Sequence, residues 1–243
     1  MSIEKYWRSY ASPQAKEISH LVVASLKAPI YRDSFALGVC VPLKDEQENL
    51  DGLLRRFNTV SLKSRFISVF VFNSSDQDEI ETKLNNLSGF KATIAFMQSV
   101  AESVKITESL CVFEFSNGSL FIGILKSDLQ NGVGQARKIA CDIICSLRFM
   151  RVLDVDYIFN TDADAEFTPE IVDHIHLGAK HKPAAMTLDF KHRQQGSNLQ
   201  KKACQLYDRY LRYHRSGLQV AQQKYAHFSI GSTIVVNTMS YVS

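Results

Sequence analysis

The stretch FALGVCVPLKDEQENLDGLLRRF, residues 35–57, passes from one kind of order to another within a few residues. Its first part, Phe35 to Leu43, is an unbroken apolar run with β-branched content, the pattern of a strand buried on both faces. Pro42 is expected to end that strand, because proline has no N–H to give to a ladder. Asp45 with Glu48 three residues on has the form of a helix-opening cap, and Leu50, Leu53, Leu54 and Phe57 recur at helical spacing. The same form follows in FISVFVFNSSDQDEIETKL: a buried strand from Phe66 to Phe72, a polar turn from Asn73 to Asp78, and a helix. Repeated strand and helix predict a parallel sheet with right-handed crossovers, whose ligands sit beyond the carboxyl ends of the strands.

Downstream, Asn117-Gly118 between two apolar runs, Ser109 to Leu125, predicts a β-hairpin, either inserted locally or with one arm joined to the main sheet. The segment GVGQARKIACDIICSLRFM opens a helix on two glycines, with Ile139, Ile143, Ile144, Leu147 and Met150 as its inner stripe. A strand from about Asp156 to Thr161 then runs into a DAD turn, and Thr168 with Pro169 predicts the start of another helix. Residues 1–30 read as a partly helical N-terminal lead-in broken by Pro13 and Pro29, and 31–243 as one α/β domain without repeats or linkers.

With 243 residues, 45% of them hydrophobic and 22% charged, the chain is long enough to bury roughly 70–75% of its unfolded surface. No apolar run nears the ~20 residues of a membrane span, and Glu4 and Glu17 precede the first apolar segment, so a cytoplasmic protein is expected. Five cysteines, odd in number and without CxxC spacing, agree with that compartment and exclude a zinc ribbon. A net charge of +3 is too mild to imply a nucleic-acid partner. Basic residues nevertheless crowd region 180–224, the pattern of a solvated helical face or of one that meets an anionic ligand or surface, so peripheral contact with the inner face of a membrane is a further expectation.

Two features point to chemistry. Asp162 and Asp164 lie two apart at a strand end and can aim both carboxylates at one point, as a hard divalent cation requires, although aspartates also favour turns. GVGQARK places Gly134 and its neighbours where backbone amides and a helix start attract an anion, with Arg137 able to grip a phosphate through its planar fork. Together they are complementary halves of a pyrophosphate site. Of the three histidines His174, His176 and His181, the first two lie at i and i+2 on different helical faces and are poorly placed to share one ion, so all three are expected at the surface.

Read in order, VCVPLKDEQENLDGLL, VFVFNSSDQD, GVGQARKIACD, DYIFNTDADAEFTPE and HFSIGSTIVVNTMSY resemble the landmarks of glycosyltransferase family 2, in particular a bacterial subset with GVGxARK and DAD elements. The resemblance implies a GT-A type, Rossmann-like, mostly parallel sheet flanked by helices with an inserted β-hairpin. It implies a metal-dependent transfer, with inversion, of a sugar from a nucleoside-diphosphate sugar to a glycan, lipid or small-molecule acceptor. Pro42, Glu46 and Asn73 would then lie by the nucleoside, Arg137 by the diphosphate and Asp162 by the ribose or sugar. Asp164, with Asp162, would hold Mn²⁺ or Mg²⁺, and His227, Gly231 and Ser232 would lie on the acceptor side. The family's acidic general base has no counterpart before Ser243, so the domain reads as incomplete at its C-terminus, or as a catalytically silent binding or assembly module. A sugar-phosphate nucleotidyltransferase is the other enzymatic alternative, but it would carry its glycine-rich signature where PLKDEQEN follows the first strand.

Overall fold

The structure is a computed structural model that describes residues 1–26, 36–61, 64–192, 194, 196–222 and 233–243. His227, Gly231 and Ser232 lie outside the described residues. The helices α1 (Ile3–Ser9) and α2 (Pro13–Ser25) open the chain, each capped by a serine side chain, Ser2 and Ser12. The first apolar run forms β1 (Ala36–Leu43), followed by α3 (Gln47–Ser61), β2 (Phe66–Asn73) and α4 (Ile80–Gln98). Then come β3 (Glu102–Ile106), β4 (Leu110–Glu114), β5 (Leu120–Lys126), α5 (Gly132–Phe149), β6 (Val155–Asn160) and α6 (Ile171–Ala179). The last elements are β7 (Ala185–Thr187), α7 (Asn198–Val220), β8 (Ile234–Asn237) and α8 (Thr238–Tyr241).

The eight strands among the described residues form one sheet in the order β3-β4-β5-β2-β1-β6-β8-β7. The four central strands, β5, β2, β1 and β6, are mutually parallel, as the strand and helix repeats require. The four outer pairings, β3 with β4, β4 with β5, β6 with β8 and β7 with β8, are antiparallel. The sheet is therefore mixed, with four antiparallel pairings to three parallel ones, and not the mostly parallel GT-A sheet expected from the sequence. The physical reason lies at the edges. β4 and β5 are reached by tight turns, which force antiparallel pairing, and β8, which follows the long helix α7, enters between β6 and β7 running against both.

Of the two readings of the hairpin, the structure takes the one in which an arm joins the main sheet, and corrects the inserted hairpin that the resemblance implied. Asn117 accepts the Ser119 amide on its side-chain oxygen (2.9 Å) and Gly118 takes φ 80°, so the turn forms where it was expected. Yet β5 pairs in parallel along the whole of β2, so the hairpin is part of the central sheet and not an insertion. Two local readings also change. Pro42 does not end β1, which pairs with β2 as far as Leu43, while pairing with β6 has already stopped at Cys40. Asp45 does not cap α3: it adopts φ 59°, its amide donates to Asn86 (2.9 Å) and its carboxylate accepts from Asn85 (2.7 Å), tying the β1 to α3 loop to α4.

Both faces of the central sheet are covered, which is why its strands are apolar at most positions. Cys40, Ile67, Val69 and Val71 face one core with α1, α2 and α5; Val39, Val41, Phe70 and Phe72 face the other with α3 and α4. Each fully buried Leu or Phe contributes about 1.5–3 kcal/mol to this packing. Gly38 has a specific role, because a Cβ there would stand 2.8 Å from Cγ2 of Ile144, so glycine lets α5 lie close over β1. That approach carries the first turns of α5 to the carboxyl ends of the central strands, where the Cys40 thiol reaches the Arg137 carbonyl at 3.6 Å. Among the described residues no helix is long and apolar enough to cross a membrane.

Candidate functional site

The chain leaves β1 toward β2 on one side and returns to pair β6 on the other, so a crevice opens between the carboxyl ends of β1 and β6. Such a reversal of strand order is where open α/β sheets bind ligands. A cavity of about 310 Å³ occupies it, lined by Pro42, Lys44, Glu46, Asn73, Val133, Arg137, Asp162, Ala163 and Asp164. Six positions singled out in the sequence, Pro42, Glu46, Asn73, Arg137, Asp162 and Asp164, are thus brought together from four separate elements or their following loops. Gly134 stays outside the lining, one residue beyond Val133, with nothing within 4 Å of where its Cβ would be. Lys44 was missed. Its ammonium pairs with Asp78 at 2.7 Å, a contact between loops that no local pattern announces.

The polar groups of the cavity are incompletely satisfied. Arg137 donates from Nη2 to Oδ1 of Asp162, while its buried Nε has no hydrogen-bond partner among the described residues. Asn73 is 3% exposed and its backbone carbonyl accepts from Asn86 (2.9 Å), but its side-chain oxygen is buried without a partner among the described residues. Glu46 accepts from Asn49 at 2.7 Å. Unpaired buried polar atoms cost about 1–3 kcal/mol each, so their gathering at one crevice is the mark of a binding site more than of a core. The start of α5 adds to the positive side. Gly132 takes φ 55°, a left-handed turn that suits glycine, and Asn131 makes no side-chain cap, leaving the first amides to other partners.

A divalent cation is tested by the donor set. Asp164 is exposed and its carboxylate has no hydrogen-bond or ion-pair partner among the described residues, while Asp162 offers the oxygen that Arg137 does not take. No group of three or more His, Cys, Asp or Glu side chains gathers for a metal among the described residues. The pair therefore cannot form an all-protein cage, but it fits Mg²⁺ or Mn²⁺, which are commonly held by one or two carboxylates with water and phosphate oxygens completing the shell.

A second, larger cavity of about 830 Å³ lies on the other side of the DAD turn and shares Asp162 and Asp164 with the first. Phe159 and Phe167 stand at one wall and Asp189, Lys191 and His192 at another. His192 is held by Asp208 of α7 through Nδ1 at 2.5 Å and by the rings of Phe190 and Tyr207, centroids 5.4 and 5.1 Å away. Sequence reading passed over this pair, since a histidine and an aspartate 16 residues apart, in a loop and on a helix, share no motif. Cys40 and Cys141, close to Arg137, are buried. The Cys40 thiol is pushed well above its usual pKa, first by its hydrogen bond with Cys141 and then by burial, so it is not a nucleophile. His174, His176 and His181 are exposed, as expected.

The chain matches no family model and no curated protein. The likeness to glycosyltransferase family 2 is therefore corrected on two counts: no family model or curated relative supports it, and the mixed sheet departs from the topology it implied.

Proposed function

We propose that the chain is a metal-dependent transferase that moves a sugar from a nucleoside-diphosphate donor to an acceptor hydroxyl. This reading does not depend on family membership. One observation carries it: a cationic helix start with Arg137 and a pair of carboxylates meet in a small cavity that adjoins a larger one across a single turn. The small cavity suits the diphosphate, with Asn73 and Glu46 available to the nucleoside as hydrogen-bonding groups. The larger suits the acceptor.

In the transfer, the bond from the anomeric carbon to the diphosphate oxygen breaks, a bond from that carbon to the acceptor oxygen forms, and the acceptor proton must be removed. Arg137 and the α5 amides face the leaving diphosphate as its negative charge grows, which lowers the barrier where charge develops. On diphosphate binding the Arg137 fork is shared between Asp162 and phosphate oxygens. A Mg²⁺ or Mn²⁺ ion at Asp164 and Asp162 would supply further neutralisation of the diphosphate. His192, fixed through Nδ1 by Asp208, keeps its other ring nitrogen to accept the proton.

The test is calorimetric titration of the chain with nucleoside diphosphates, with and without Mn²⁺, followed by hydrolysis assays on the sugars of whichever nucleotide binds. We expect Mn²⁺-dependent binding, and for His192→Gln we expect unchanged nucleotide affinity with hydrolysis reduced about 10²- to 10⁴-fold. Failure of every nucleoside diphosphate to bind would overturn the reading. Binding without hydrolysis would leave a donor-binding module.

A further inference from the structure

α7 (Asn198–Val220) is the most unusual element of the molecule. It runs for 23 residues without a single buried one, although a complete capping box formed by Ser197 and Gln200 begins it. Half-buried positions Cys204, Asp208, Leu211, Arg215 and Leu218 recur at helical spacing and mark the face turned toward the body. Asp208 holds His192 from this face, and Arg212 donates to the Phe190 carbonyl at 3.3 Å. A second apolar strip faces away. Leu199, Leu206, Tyr210, Tyr213 and Val220 follow a spacing of three and four, and they are 78%, 54%, 61%, 80% and 85% exposed. Large apolar side chains at such exposure, aligned on one helix face, are a contact surface without its partner.

The charge of the helix says what that partner is. Lys201, Lys202, Arg209, Arg212 and Arg215 stand against the single acid Asp208, which is turned inward to His192. Lys202 and Arg209 directly flank the exposed strip, where long basic side chains can lay their stems on apolar material and reach an anionic layer with their heads. Tyrosine, with an apolar ring and a polar tip, is suited to the same boundary.

A second copy of the helix fits worse. Antiparallel pairing sets Lys202 and Arg209 against the like charges of the partner, and parallel pairing offers them Tyr207 and His214 but no acid. Along the strip Ala203, Tyr210 and Gly217 alternate in size at equivalent heptad positions, which fills no regular seam. We infer that the outward face of α7 docks on an anionic lipid surface, lying in the plane of the interface with its tyrosines and leucines among the headgroups. The inference is independent of the chemistry at the diphosphate cavity, but it concerns the same helix that holds His192 in the larger one.

The test is co-sedimentation of the full chain with vesicles of phosphatidylcholine alone and of phosphatidylcholine mixed with phosphatidylglycerol. We expect binding to the mixed vesicles, little to the neutral ones, and release as salt is raised. The double variant Lys202→Gln, Arg209→Gln should bind the mixed vesicles roughly thirtyfold more weakly, about fivefold for each basic residue removed. Leu206→Ser with Tyr210→Ser should weaken binding at every salt concentration. These side chains are exposed, so circular dichroism and nucleoside-diphosphate affinity should match those of the unaltered chain. Absence of binding to the mixed vesicles, or binding by both variants as strong as that of the unaltered chain, would overturn the inference whatever the cavity binds. A concentration-dependent dimer in light scattering, lost in the Leu206→Ser, Tyr210→Ser variant, would overturn it in favour of a second copy.

Discussion

Two adjacent residues of α5, Arg137 and Lys138, form ion pairs with opposite characters. Lys138 donates to Asp142 at 2.8 Å, and this fully buried carboxylate also receives the Tyr6 hydroxyl (2.7 Å), the Ser12 amide (2.8 Å) and the Tyr241 hydroxyl (3.1 Å). Four donors from α1, the start of α2, α5 and α8 thus close on one acid. Arg137 makes one bond to Asp162, keeps a buried Nε without a partner among the described residues, and faces a cavity. The closed cluster fastens helices to the sheet. The open pair leaves hydrogen-bonding capacity for a ligand, and that difference separates structure from site more clearly than charge or conservation of type could.

Three perturbations would break or sharpen this contrast. Asp142→Ala should have the largest effect on stability. It strips four donors of their acceptor and leaves the Lys138 charge beside a void, a loss of about 3–5 kcal/mol by denaturant unfolding. Nucleoside-diphosphate affinity of the folded fraction should be unchanged. Arg137→Ala should do the reverse: diphosphate affinity falls by about 1.5–3 kcal/mol, the worth of a hydrogen bond to a charged group, while stability moves by under about 1 kcal/mol because the pair is partly exposed. Large destabilisation by Arg137→Ala, or lost affinity with Asp142→Ala, would erase the distinction.

The third effect is smaller and depends on pH. Burial raises the Tyr6 and Tyr241 pKa values above their ordinary 10.0. Burial works against the Lys138 ammonium, but the hydrogen bond and charge of Asp142 outweigh it and raise its pKa above 10.5. A group whose pKa is higher folded than unfolded contributes stability that is complete below the unfolded value and is lost as pH rises toward the folded one. Melting temperature should therefore hold near neutrality and fall above about pH 10, and Tyr241→Phe should flatten that alkaline decline. An alkaline decline equal in Tyr241→Phe and the unaltered chain would remove the cluster from this role.

The central strands and most of the small cavity were legible in the sequence because their signals are local. A run from Phe66 to Phe72 that is apolar at all positions but Ser68 reports burial on both faces, and a DAD at a strand end reports two carboxylates on one side. What failed to show is what depends on distant partners. Asn117-Gly118 announces a turn but cannot say that β5 will lie along β2. The strands β7 and β8, three and four residues long, are too short for any periodicity to mark. Asp45 and Glu48 satisfy a capping pattern, yet Asn85 and Asn86 from α4 claim Asp45 for the loop. His192 and Asp208 meet only after α7 has folded back beside the preceding loop. Extending the parallel pattern of the central strands to the whole sheet was the step that led to the wrong topology.

The most direct measurement of the central idea is calorimetric titration of Asp164→Asn with the best-binding nucleoside diphosphate, in Mn²⁺ and in its absence. The substitution keeps size and removes the charge of an exposed carboxylate that has no partner among the described residues. We expect thermal stability to stay within about 0.5 kcal/mol, as for an ordinary surface change, and the Mn²⁺-dependent part of the affinity to vanish. Full retention of Mn²⁺-dependent affinity by Asp164→Asn would contradict a cation and diphosphate site at the DAD turn.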